Sequence, residues 1–324
     1  MEILLISPCH KNFGGWYRAN NIATHLTYLN HKVTFLYPSS VNNLWKRVLN
    51  GLVNCKHLFK YDIIHIFEIV QPETLLPALL ARFLGKRVII DVADEWLFSP
   101  TYKNSNFLTK LLIRFIDLFL INLFPLLTVT SDYLVRKYGR GFKLINGVNE
   151  DEFELIHRNQ ARKQLRITYD VKVLLAFGNT WGNQRIKLLK EVYQWVKLYD
   201  DSIQLVVGTG WDKKKLSLWL GACDLVLFPT GGEPCEAACF PIRVGSCLNA
   251  ERVIATDTSY TEFHSILGKY NCLLVGDYPR HLATNIIKFF KDKSFRKELE
   301  ENVKVAKKEL SWNKLIGKLE EFYK

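Results

Sequence analysis

Short runs of apolar residues, flanked by longer stretches of helical periodicity, recur along the whole chain and constrain its fold most. Ile3-Leu4-Leu5-Ile6, Ile63-Ile64-His65-Ile66 and Val88-Ile89-Ile90 lack the in–out alternation of a half-exposed strand. Strands without that alternation are covered on both faces, and a sheet covered on both faces by helices is a parallel α/β sheet. The first cycle predicts strands at 2–7, 32–36, 62–67, 87–92, 126–130 and 143–145, with helices at 18–29 and 73–83. Ser131 is placed to cap a helix running into Lys137. The pattern then restarts. Strands are expected at 171–177, 202–207, 224–228, 253–256 and 272–275, and helices at 185–198, 216–220, 243–249, 281–290, 294–310 and 312–323.

Two cycles in 324 residues predict two doubly wound domains. The charge-rich stretch 152–172 separates them. The expected organisation is an N-terminal Rossmann-like domain at 1–158, a second at 159–310, and a terminal helix at 311–324. Ligands of such sheets sit at the carboxyl ends of the strands, so the expected site is a cleft onto which both edges face.

Composition narrows the class. Hydrophobic residues make up 48% and charged residues 23%, a globular balance. The net charge is +12, of which residues 1–165 carry 20 − 13 = +7 and residues 166–324 carry 24 − 19 = +5. A spread basic excess suits phosphate-bearing ligands or anionic membrane faces. The seven cysteines form no CxxC pair, which suits reduced thiols in a cytoplasmic protein. Cys235 and Cys239 lack the further ligands that a zinc site needs. The opening apolar run has Glu2 in front of it and no basic flank, unlike a signal peptide. Residues 107–124 are strongly apolar, but Lys110, Arg114 and Asp117 form a polar stripe. That stripe favours a buried amphipathic helix over a membrane span, with a membrane-surface role as the second option.

Candidate chemistry sits at the strand ends. Gly14 and Gly15 lie between the first strand and helix, where a backbone approaches a ligand and free N–H groups meet an anion. Gly178 and Asn179 occupy the equivalent place in the second half, and Arg185 opens the next helix. No GxGxxG fingerprint is present, so a nicotinamide cofactor is not expected. Trp16, Trp96, Trp181 and Trp211 follow strand ends, where they stack on a ligand ring or pack a loop.

Taken in order, these segments resemble glycosyltransferase family four (glycosyl transferases group 1). The resemblance runs through Ile3–Ser7 with Gly14-Gly15, through Asp62-Ile63-Ile64-His65, and through Thr128–Leu134. It continues in Ile145-Asn146-Gly147-Val148-Asn149, in Asp224–Pro229, in Pro241–Ser246 with Val253–Asp257, and in the closing helices with Ser311-Trp312. It implies a GT-B fold whose last helix crosses back to the first domain. It also implies transfer of a sugar from a nucleotide-sugar, with retention and without a metal or other cofactor. The resemblance implies donor binding by Gly14, Gly15, Gly178, Asn179, Arg185, Glu236, Arg243 and Ser246. Places at the strand ends suggest Arg18, Glu68 and Asn146 for the acceptor side, and Asp94, Glu95 and His65 as catalytic groups. His65 within an apolar strand also reads as a core histidine, and Asp94 as a helix cap. The chain departs from the family pattern in several places: Ala93 stands for its histidine, Ala238 and Ser246 stand for its two glutamates, and the segment between Gly210 and Asp224 is short.

The expected acceptor is lipid-linked, a polysaccharide or another group, with peripheral association at the cytoplasmic membrane face. A GT-B scaffold without catalysis is the alternative. A DNA-glucosylating enzyme ranks lower, since no DNA-binding motif is present.

Overall fold

The computed structural model describes all residues except 12, 39–42, 179–182, 230–237 and 259–260. The chain divides into two compact units. The first comprises Met1–Asn146, Ala238–Phe240 and Trp312–Lys324, and the second Gly147–Ala237 and Pro241–Ser311. Residues 147–158 therefore belong with the second unit, and the terminal helix with the first.

The first unit is built on a parallel sheet of β1 (Glu2–Ile6), β2 (Lys32–Leu36), β3 (Ile63–Phe67), β4 (Arg87–Val92), β5 (Leu126–Val129) and β6 (Phe142–Lys143), in the order β2-β1-β3-β4-β5-β6. Apart from the first residues of β1 and β4, the central strands β1, β3 and β4 are buried, as their apolar runs require. Helices α1 (Gly14–Tyr28), α2 (Leu44–Cys55), α3 (Pro72–Phe83), α4 (Pro100–Lys103), α5 (Phe107–Leu118) and α6 (Asp132–Tyr138) connect them. Local chemistry sets their ends. Asn43 and Asn106 accept from the backbone N–H of Trp45 and Thr109 to cap α2 and α5, Ser131 caps α6 through Leu134 N, and Gly139 at φ +66° ends α6.

The second unit carries β7 (Lys172–Phe177), β8 (Ile203–Gly208), β9 (Leu225–Phe228), β10 (Ile254–Asp257) and β11 (Leu273–Gly276), parallel in the order β11-β10-β9-β7-β8. Its helices are α7 (Arg158–Leu165), α8 (Asn183–Tyr199), α9 (Lys213–Ala222), α10 (Ile242–Asn249), α11 (Thr261–Leu267), α12 (Pro279–Lys291) and α13 (Lys293–Glu309). Asp224, buried before β9, anchors this unit. It takes Arg162 Nη2 at 2.7 Å and the Val173 amide at 2.8 Å, and pairs with Arg158.

The last helix, α14 (Trp312–Tyr323), packs on α1. Trp312 stacks on His25, and Asn313 bonds the same ring at 2.9 Å.

Two expectations change. The apolar stretch 107–124 is not one buried helix. It breaks after Leu118 into a 3-10 turn at Leu120–Leu123, and α5 buries only Ile113, Ile116 and Asp117. Asp117 belongs to no solvated stripe, because Lys137 holds it at 2.7 Å. Helix α2 has no counterpart in the expected elements; its main apolar stripe, Trp45, Leu49 and Leu52, faces outward.

Candidate functional site

In the first unit, the sheet's carboxyl end gathers a buried polar chain. Arg18, on the second turn of α1, is 2% exposed and grips Asp91 on β4 through Nε at 2.9 Å and Nη2 at 2.7 Å. Its remaining donors reach Asn146 Oδ1 at 3.1 Å and Leu144 O at 2.8 Å, and Asn146 in turn donates to Phe240 O at 2.6 Å. Arg18 and Asn146, both expected on the acceptor side, are thus brought together. They hold the sheet edge in shape.

The same chain explains His65. Thr128 Oγ1 spends its proton on Asp91 Oδ2 at 2.7 Å, so it can only accept from His65 Nε2–H at 3.0 Å. His65 Nδ1 then accepts the Tyr323 hydroxyl at 2.5 Å. With the side chain fully buried, its pKa falls from 6.5 to about 4, Asp91 opposing and Arg18 assisting. This is a neutral core histidine that fastens α14, not a group open to substrate.

Beyond β3 and β4 the arrangement is different. Glu68 takes a left-handed backbone at φ +54°, which a non-glycine residue adopts only under constraint. Its Oε1 accepts the Ala93 N–H at 3.1 Å and its Oε2 the Trp96 indole N–H. Thus the backbone of Ala93 contributes here although its side chain offers nothing. Burial first, and then the neighbouring Asp94 charge, push the Glu68 carboxyl from 4.5 up to about 8. Asp94 leaves its side chain exposed; surrounding protein mass raises its carboxyl, with the Arg18 charge opposing. Glu95 turns inward instead. It is 1% exposed, caps the 3-10 turn Trp96–Phe98 and accepts Lys137 Nζ at 2.6 Å. Asp94 is therefore the exposed carboxyl of this edge, Glu68 is half-buried with both oxygens hydrogen-bonded, and Glu95 is a structural one.

Gly14 opens α1, whose N-cap residue Phe13 provides no side-chain cap. Gly15 is dictated by packing, since a Cβ there would lie 2.8 Å from Cys9 Sγ.

In the second unit, Arg243 lies in the first turn of α10, half-buried. Its Nη1 donates to Phe177 O at 2.6 Å, and its guanidinium sits 4.7 Å from the Phe228 ring centre. That fixes a cation at the carboxyl ends of β7 and β9, next to Gly178. The Gly178 N–H is committed to Gly208 O at 3.0 Å and is not a free donor. Arg185 lies near the start of α8, partly buried. Ser246, one turn after Arg243, is 3% exposed and donates to Glu152 Oε2 at 2.9 Å. Burial raises the Glu152 carboxyl, with the Ser246 bond opposing. Asn179, Glu236 and Trp181 lie outside the described residues. Trp211 packs on Trp219 and over Gly208.

Sequence reasoning missed Glu152, whose only mark is its distance from the strand ends. It passed over Asp91 as a site residue, although an acid closing an apolar run is a legible signal. Among the described residues, no group of three His, Cys, Asp or Glu could hold a metal ion.

No family model and no curated protein matches the sequence. Solved structures do match the fold. A glycosyltransferase from Rickettsia africae superposes with a TM-score of 0.71 at 11% identity, over 99% of this chain and 97% of that one. Sucrose-phosphate synthase from Thermosynechococcus elongatus gives 0.70 at 13% identity, over 100% and 98%. Anabaena HepE in complex with UDP and glucose gives 0.67 at 14%, over 99% of each chain. The fold is GT-B. Arg243, Glu68 and Asp94 stand at the carboxyl ends of strands in these parallel sheets, the end at which open α/β sheets generally bind ligands.

Proposed function

We propose that this chain is a glycosyltransferase that moves a sugar from a nucleotide-sugar donor to a lipid-linked or polysaccharide acceptor. Arg243 carries the reading: a fixed guanidinium at a strand-end edge, beside Gly178. When the glycosidic bond of a nucleotide-sugar breaks, negative charge collects on the leaving diphosphate. A preorganised cation aimed there stabilises that charge without reorganising. The matching fold of HepE, solved with UDP and glucose, supports the donor class.

The second unit takes the donor. Arg243 faces the diphosphate, Arg185 adds positive charge, and the Glu152 carboxylate steadied by Ser246 is available to sugar or ribose hydroxyls. The first unit takes the acceptor. Asp94 accepts from the attacking hydroxyl, and Glu68, held by Trp96 and Ala93, orients it. Gly14 and the first turn of α1 give close backbone approach. Transfer proceeds with retention and without a metal. The protein works in the cytoplasm against a membrane face, although no helix among the described residues is long and apolar enough to cross one.

A second reading, a GT-B binding subunit without turnover, draws on Ala93 and Ser246 standing where the resembled family has a histidine and a glutamate. One experiment separates the two. Thermal unfolding is measured with UDP, GDP, ADP, CMP and dTDP and their common sugar conjugates, followed by hydrolysis or transfer of whichever conjugate binds. A ligand at one hundred times its Kd adds about 2.7 kcal/mol of apparent stability. Stabilisation by one base together with sugar release supports the transferase. Stabilisation without release supports the binding subunit, and no stabilisation by any nucleotide removes the donor assignment.

A further inference from the structure

Helix α2 is amphipathic the wrong way round. Its polar stripe points inward. Arg47 Nη1 reaches Glu73 Oε1 at 2.8 Å, Asn54 Nδ2 donates to Glu73 O at 3.1 Å, and Gly51 lets α3 approach so closely that a Cβ would lie 2.8 Å from Pro72 O. These residues stand at i, i+4 and i+7 and form one face. The opposite face, again at i, i+4 and i+7, is Trp45, Leu49 and Leu52, which are 74%, 59% and 54% exposed; Val53 lies beside them. Ordinary packing of a surface helix buries the apolar stripe and exposes the polar one.

The surroundings say what would cover this face. From Ile3 to Tyr61 the chain contains no aspartate or glutamate, and it carries seven Lys and Arg. Lys46, Lys56 and Lys60 are exposed around the α2 stripe, with Phe59 beside Lys60. Helix α5 repeats the arrangement. Leu108, Leu111, Leu112 and Phe115 are exposed on one face, Lys110 and Arg114 flank it, and the only acid of the helix, Asp117, is buried. Both helices border one core cluster, through Cys55 and Leu58 at the end of α2 and Ile113 and Ile116 of α5. A bilayer with anionic headgroups matches apolar rings at acyl depth and lysines at headgroup level.

We propose that the outer faces of α2 and α5 dock the first unit onto an anionic lipid bilayer, α2 inserting Trp45, Leu49 and Leu52. This deepens the reading of a lipid-linked acceptor proposed above. It is tested without sugar transfer, so the two readings can fail separately.

The full chain is sedimented with phosphatidylcholine vesicles, with and without phosphatidylglycerol. Binding is expected only with the anionic lipid and is expected to fall as salt rises. Leu49→Glu with Leu52→Glu should weaken binding about tenfold or more. Lys46→Gln, Lys56→Gln and Lys60→Gln together should weaken it by up to about a hundredfold. Both variants should keep the native melting temperature, because all five side chains are exposed. Brominated lipid should quench Trp45 fluorescence, and Trp45→Phe should remove that part of the quenching. The proposal is overturned if the native chain stays in the supernatant with anionic vesicles, or if the α2 variants bind as tightly as the native chain. It is equally overturned if the lipid-free chain dimerises and Leu49→Glu makes it monomeric, since the face would then belong to a second copy.

Discussion

Arg18 holds the Asp91 carboxylate with two parallel hydrogen bonds, at 2.9 and 2.7 Å, across a sequence separation of 73 residues. The pair is sealed from water and joined to Asn146 on one side and Thr128 on the other. Arg18→Ala leaves a buried, uncompensated carboxylate and should cost about 3–5 kcal/mol in urea denaturation. Replacing both partners, Arg18→Leu with Asp91→Leu, should cost clearly less than the sum of the two single changes. Strict additivity would mean that the pair is not coupled.

Burial of His65 makes stability pH-dependent on the acid side. The folded pKa of His65 is depressed, from 6.5 to about 4, so the unfolded chain binds the proton first. The stabilisation is complete above 6.5 and is lost as pH falls towards about 4. His65→Gln should be less stable at neutral pH and show a flatter stability curve through that window. An unchanged slope would assign the acid sensitivity to other groups.

Glu68 works in the opposite direction. Its folded pKa lies at about 8, above the ordinary 4.5. The folded state therefore holds the proton, and its contribution is full below 4.5 and lost as pH rises through about 8. Glu68→Gln should flatten the fall in melting temperature between these limits. A native protein whose melting temperature does not fall there would contradict the assignment.

Arg243→Ala should spare the fold, because α10 keeps its buried face. Losing a charge-assisted contact of about 1.5–3 kcal/mol should weaken nucleoside diphosphate binding by roughly one to two orders of magnitude, read by calorimetry. Affinity equal to that of the native chain would remove Arg243 from the donor site.

Gly15→Ala puts a methyl group 2.8 Å from Cys9 Sγ and should destabilise the first unit by about 1–3 kcal/mol. Adding Cys9→Ala removes the sulfur and should restore most of the loss. A failed rescue would point to the backbone at the start of α1.

The strands were legible because a strand covered on both faces must be apolar at every position, as in Val88-Ile89-Ile90, and local sequence records that directly. Helix α2 was not legible: its apolar stripe faces outward, so periodicity alone could not say which side meets the core. Of the expected catalytic groups, Asp94 is exposed at the strand edge, while His65 and Glu95 turn inward. Asp94 and Glu95 follow an apolar run and His65 sits inside one, and only their partners separate them. Tyr323 and Lys137 come from helices that local sequence cannot place beside them.

The sequence by itself determined the alternation of strands and helices, the two parallel sheets and the residue types along their carboxyl edges. These depend on local periodicity and on burial of each strand. The tertiary structure decided which polar groups are committed to one another. It turned Arg18, Asn146 and His65 into a buried brace, brought Glu152 to Ser246, and raised Glu68 by withdrawing it from water beside Asp94. Hydrogen-bond partners and desolvation depend on contacts between residues far apart in the chain, and no local pattern encodes them.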